Sequence, residues 1–269
     1  MANVTREWIA QLWDERKQGF RERTVYLDLM KELRDAASVA AQGAYFVTAH
    51  TLLVQSIIQL VVDEDAMAEE NLVAAQSYLE MAIERDDLDV YGDQGHADIG
   101  RFERAKDLVL VRALRERTFD REAFAAACEL KEAWNEAAFS QPHWEARDLR
   151  LYEWMAEQIV VGRYSRAAEL GRKYGGAPVR AADTSSTGRS PEQVFYLVAK
   201  SQLAGDPPLQ EAAKRALDGY YHSFTDWGPD FPEHDVPYDE KLLYAYIRGR
   251  IFYGIEDPIR LVKMLKFGV

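Results

Sequence analysis

One nine-residue pattern occurs twice in this chain. Gly162-Arg163-Tyr164-Ser165-Arg166-Ala167-Ala168-Glu169-Leu170 is echoed, 62 residues earlier, by Gly100-Arg101-Phe102-Glu103-Arg104-Ala105-Lys106-Asp107-Leu108. Glycine, arginine, aromatic, arginine, alanine and leucine recur in the same order. Each copy reads as a glycine-containing turn followed at once by an amphipathic helix, with a small alanine that lets a neighbouring helix come close. Such a unit is half of a helical hairpin, and a chain built on it is confined to helix-on-helix packing.

The rest of the sequence agrees. Apolar residues recur at helical spacing and no segment alternates with period two. Helices are expected over 5–19 (Trp8, Ile9, Leu12 and Trp13 on one face), 22–36, 38–62, 63 or 65 to 85, 102–117, 121–138, 143–160, 164–174, 191–203, 206–222, 239–253 and from Asp257-Pro258 onward. Thr5, Asp63 or Asp65, Asp120 and Ser190 are the expected N-caps, with Pro191 as a first helical residue. Loops are expected at 86–98, 175–190 and 223–238. The fold class is therefore all-α: a helical-hairpin repeat or α-solenoid, or an irregular bundle, of roughly eleven helices. With 269 residues the chain reads as one domain, 1–269, any sub-boundary falling in the Gly/Ser/Thr-rich 175–190 loop.

The second copy resembles the latter half of a tetratricopeptide repeat. Gly162, Tyr164 and Ala167 match that family's Gly-x-aromatic-x-x-Ala turn and second helix, and Trp154 occupies a first-helix position that the family fills with a large apolar residue. Gly100, Phe102 and Ala105 take the same roles in the first copy, so the resemblance covers 100–174. Adjacent units of that family lie about 34 residues apart, and its closing proline is replaced here by Gly175-Gly176. The resemblance implies a scaffold that binds peptides or proteins.

Net charge narrows the partner. It is −12, and a 40-residue stretch from Leu60 to Ile99 carries twelve acids against the single base Arg85. That balance argues against nucleic acid, whose phosphates demand Lys and Arg, and is compatible with a basic protein. The most apolar run, 44–62, includes Thr48, His50, Thr51, Gln55, Ser56 and Gln59, which suits a buried helix better than a membrane span. The first residues lack a basic stretch followed by an apolar one, so no signal peptide is expected. The lone Cys128 fits a reducing, cytoplasmic setting and a small core residue rather than a nucleophile.

Two segments are the candidate partner surface. Between Ser223 and Glu240, Trp227, Phe231 and Tyr238 interleave with six acids, among them Asp226, Asp230, Glu233 and Asp235, and with no base. Aromatic anchors ringed by acids suit a Lys/Arg-rich partner. Asp87, Asp89 and Asp93 supply a second acidic stretch. With Gly92 and Asp98 it faintly follows calcium-loop spacing, but Tyr91 and Gly95 stand at ligand positions, and a solvated acidic loop is the better account. The arginines at 101, 104, 112, 115 and 117 are expected to pair within the chain, with the acidic segment next door. No cofactor or metal is assigned. The leading expectation is a cytoplasmic, non-catalytic binder of a basic protein, of the kind of a bacterial immunity-type inhibitor of a basic toxin or effector. The alternatives are an adaptor or secretion chaperone, or an enzyme or small-molecule binder with a site between helices near His222 and His234.

Overall fold

The computed structural model describes residues 45–61, 63–85, 94–140, 151–175, 190–225 and 238–264. These form ten helices and no strand. They are α1 (Tyr45–Val61), α2 (Asp65–Glu84), α3 (Gln94–Glu116), α4 (Arg121–Phe139), α5 (Leu151–Val160), α6 (Tyr164–Tyr174), α7 (Pro191–Ala204), α8 (Pro207–Thr225), α9 (Tyr238–Tyr253) and α10 (Pro258–Met264). The helices expected over 5–19 and 22–36 lie outside the described residues. None of the described helices is long and apolar enough to cross a membrane.

The expected 38–62 helix is α1, and its polar residues are drawn into the core. Gln55, Ser56 and Gln59 are buried. Asn71 of α2 donates to Gln59 Oε1 at 3.0 Å, and Ser56 Oγ donates to the Leu52 carbonyl at 2.7 Å. Leu53, Ile57 and Leu60 pack with Leu72, Ala75 and Leu79 of α2. Neither Asp63 nor Asp65 caps α2, contrary to expectation. The N-cap is Glu64, whose side chain makes no capping bond. Asp63 adopts a left-handed backbone (φ +65°), and both aspartates turn to Lys263 of α10, an ion partner that outcompetes the local amides.

The first copy of the repeated pattern corrects the reading of a turn. The chain is already helical from Gln94, so Gly95, Asp98 and Gly100 all lie inside α3. A helical glycine costs about 1 kcal/mol relative to alanine, which the buried Gly100, Phe102, Leu110, Val111 and Leu114 more than offset.

At the second copy the turn is real. Gly162 has φ +81°, and a Cβ there would strike the Arg121 guanidinium. Arg121 in turn donates from Nε to the Val160 carbonyl at 3.2 Å, satisfying an end of α5. The expected caps Asp120 and Ser190 are both in place: Asp120 accepts from the Ala123 amide, and Ser190 forms a capping box with Gln193. Helices α5 and α6 pack on each other, and α7 packs on both. At Gly171 a side chain would collide with Tyr196 and Met155, so glycine sets how closely α6 approaches α7 and α5.

The C-terminal helices return to the beginning. α9 and α10 pack against α1, and Phe119, between α3 and α4, stacks on Tyr246 of α9 with ring centroids 4.3 Å apart. Along the chain, α4 and α5 are the consecutive described helices whose backbones approach each other least, and long side chains link them.

Candidate functional site

Most of the acidic–aromatic candidates lie beyond what the structure describes. Asp226, Trp227, Asp230, Phe231, Glu233 and Asp235 are outside the described residues, as are Asp87, Asp89 and Asp93. Tyr238 is the first residue of α9, and His222 lies in the last turn of α8, while His234 is outside. The structure thus brings none of these together as a described site.

It does place the earlier part of the acidic stretch. Asp65, Glu69, Glu70, Val73, Glu80, Ile83 and Glu84 are all exposed on α2. Helical spacing puts Glu69, Glu70, Val73, Glu80 and Glu84 on one side of it. Val73 and Ile83 are each 43% exposed, so this side is apolar as well as acidic. Its edge is partly compensated from α3, as expected for the arginines. Arg112 pairs with Glu80 at 3.0 Å and Arg115 with Glu69 at 3.1 Å. The Gln76 amide and the Arg112 guanidinium hold the Glu80 carboxyl below its ordinary value. Arg101 pairs with Asp98 on its own helix, while Arg104 is buried and reaches the Ala82 carbonyl of α2.

A second polar assembly fills the gap between α4 and the α5–α6 hairpin. Glu129, Glu132 and Glu136 recur along α4 at spacings of three and four, so they share a side. Both arginines of the Gly162 copy meet them. Arg163 pairs with Glu129 at 2.7 Å, and Arg166 with Glu132 at 3.0 Å and with Glu136. The Arg166 guanidinium lies 5.3 Å from the Trp154 ring centroid, and Trp154 donates from Nε1 to Glu132 at 2.9 Å. Trp154 also stacks on Phe139, which touches Tyr174. The Arg166 contact holds the Glu136 carboxyl below its ordinary range.

Deeper in the same seam, Lys131 of α4 donates to Glu157 of α5 at 2.6 Å, and both residues are buried. The Lys131 ammonium sits 3.7 Å from the centroid of Phe102, the aromatic of the first copy. Lys106, paired with Glu103, lies 5.6 Å from the same ring. Burial works against the Lys131 charge, but the Glu157 and Glu103 carboxylates outweigh it and raise its pKa. Lys131 is therefore favoured as the ammonium, and it titrates with Glu157 as one coupled pair. Burial, reinforced by Glu157, pushes the Cys128 thiol well above its ordinary value, in keeping with a core residue.

This seam was not foreseen from sequence, because these polar partners across it stand 22 to 34 residues apart. One signal was available. Phe124, Ala127, Cys128, Lys131, Asn135 and Ala138 follow helical spacing, so Lys131 and Asn135 sit on the apolar stripe of α4. A lysine on such a stripe calls for a buried carboxylate.

Elsewhere, His50 Nδ1 of α1 lies 2.7 Å from Oδ2 of the fully buried Asp107 of α3, in another pairing that sequence reading left out. Among the described residues, no group of three His, Cys, Asp or Glu side chains is placed to hold a metal ion. No protein-family model matches the chain, and no curated protein or solved structure matches it.

Proposed function

We propose that this chain is a cytoplasmic, non-catalytic protein that binds a basic protein partner, in the manner of an immunity-type inhibitor of a cationic toxin or effector. The observation that carries this reading is the outward side of α2, where exposed glutamates surround exposed Val73. Charge of one sign speeds encounter with a partner of the other, and apolar contact then slows release. The partial neutralisation of Glu69 and Glu80 by Arg115 and Arg112 limits how much charge α2 alone contributes. The acidic–aromatic stretch 226–238 is the second part of the proposed surface. An adaptor or secretion chaperone would use the same surface and differ only in its client.

Affinity capture from the native host tests this, with the complex challenged by about 0.5 M salt, at which exposed charges are strongly screened. The expected result is a stoichiometric basic protein that salt releases. Its capture should be lost when Glu70 and Glu84, or Asp230, Glu233 and Asp235, are changed to Lys. Capture indifferent to salt and to both sets of substitutions would sink the proposal.

A further inference from the structure

Glu157 is bonded on one side only. Its Oε1 accepts from Lys131, while Oε2 is buried and has no hydrogen-bond partner. An ionised carboxylate left half-satisfied and fully buried is costly, and that cost opposes the attraction of the Lys131 ammonium. The surroundings divide: burial and Glu153 disfavour the carboxylate, while Lys131 and Lys106 favour it. From α3 come Lys106 and its partner Glu103, from α4 Lys131 and the thiol of Cys128, and from α5 itself Glu153, a like charge one turn earlier. The strongest electrostatic influences on Glu157 all come from α3, α4 and α5 rather than from α6, α7 or α9. Lys131 and Glu157 are one of several side-chain links across the seam, beside the Arg163–Glu129 and Arg166–Glu132 pairs and the Trp154–Phe139 stack.

We propose that Glu157 is a proton-binding switch that couples pH to the cohesion of the seam between α4 and the α5–α6 hairpin. With a proton on Oε2, the carboxyl itself is neutral and still accepts from Lys131 through Oε1. Loss of that proton leaves a carboxylate with one bare oxygen beside Glu153.

Burial moves this carboxyl from an ordinary 4.5 to about 7, with Lys131 opposing. The folded chain therefore holds a proton that the unfolded chain releases. The associated stabilisation is complete below about 4.5 and is lost as pH rises through about 7. Urea unfolding of the wild-type chain and Glu157→Gln across pH 5 to 8 isolates it, since other titrations cancel in the comparison. The ratio of the wild-type unfolding constant to that of the variant should rise roughly 50- to 100-fold over this range. A rise of tenfold or more supports the switch, and a smaller change overturns it. If the variant does not fold, carbon-13 NMR titration of the wild-type Glu157 carboxyl decides the matter. A midpoint above about 6 supports the proposal, and one at or below about 6, nearer the ordinary carboxylate range, overturns it.

Discussion

The two copies of the glycine–arginine–aromatic pattern share their letters and almost nothing else. In the second, Gly162 opens a turn and the helix that follows buries Ala167, Ala168, Leu170 and Gly171, leaving Tyr164 only partly covered. In the first, the buried Gly100 lies inside a continuous helix, and the buried side chains are Phe102, Arg104, Lys106 and Asp107. The core side has rotated, so that Ala105 and Leu108 are only partly buried where Ala167 and Leu170 are fully so. The arginines diverge as well. Arg104 is buried against α2, whereas Arg166 sits half-exposed between two glutamates of α4. A shared pattern fixes that both segments are helices; the neighbours choose the side each helix buries.

The aromatic position sharpens this difference most. Phe102→Ala should cost about 3–5 kcal/mol in chemical denaturation, since it empties a fully buried site and removes the ring beneath Lys131. Tyr164→Ala, at the matching place, should cost about 1 kcal/mol. Equal losses at the two positions would contradict the rotated core. Next comes the glycine. Gly162→Ala forces a side chain into left-handed backbone and against Arg121, and should destabilise by about 2 kcal/mol. A stability unchanged within error would mean that the turn is not built as described. The smallest effect belongs to the arginine clamp. A double-mutant cycle over Arg166→Ala and Glu132→Ala should give a coupling of about 1 kcal/mol that shrinks as salt is raised. A salt-independent coupling would place the pair out of solvent's reach.

Much of the fold was readable because it rests on local chemistry. Asp120 and Ser190 announced their caps, and Pro191 its first turn. The errors came where a residue had two options and a distant group decided. Gly95 and Gly100 resemble helix breakers until the packing of α3 offsets their entropy. Asp63 and Asp65 are suitable caps, but Lys263 lies within reach. Of the candidate partner surface, only the α2 side and the start of α9 fall within the described residues, so its acidic–aromatic part still rests on composition.

By itself, then, the sequence determined the all-helical class, most helix positions and the acidic excess. These depend on periodicity, capping side chains and charge, all of which act within a few residues. Only the tertiary structure decided that α3 runs unbroken through Gly100, that Glu129, Glu132 and Glu136 face Arg163 and Arg166, and that Lys131 and Glu157 meet inside the seam. The reason is one of range. A buried charge is tolerable only where an opposite one from another helix meets it, and that depends on how the helices pack together.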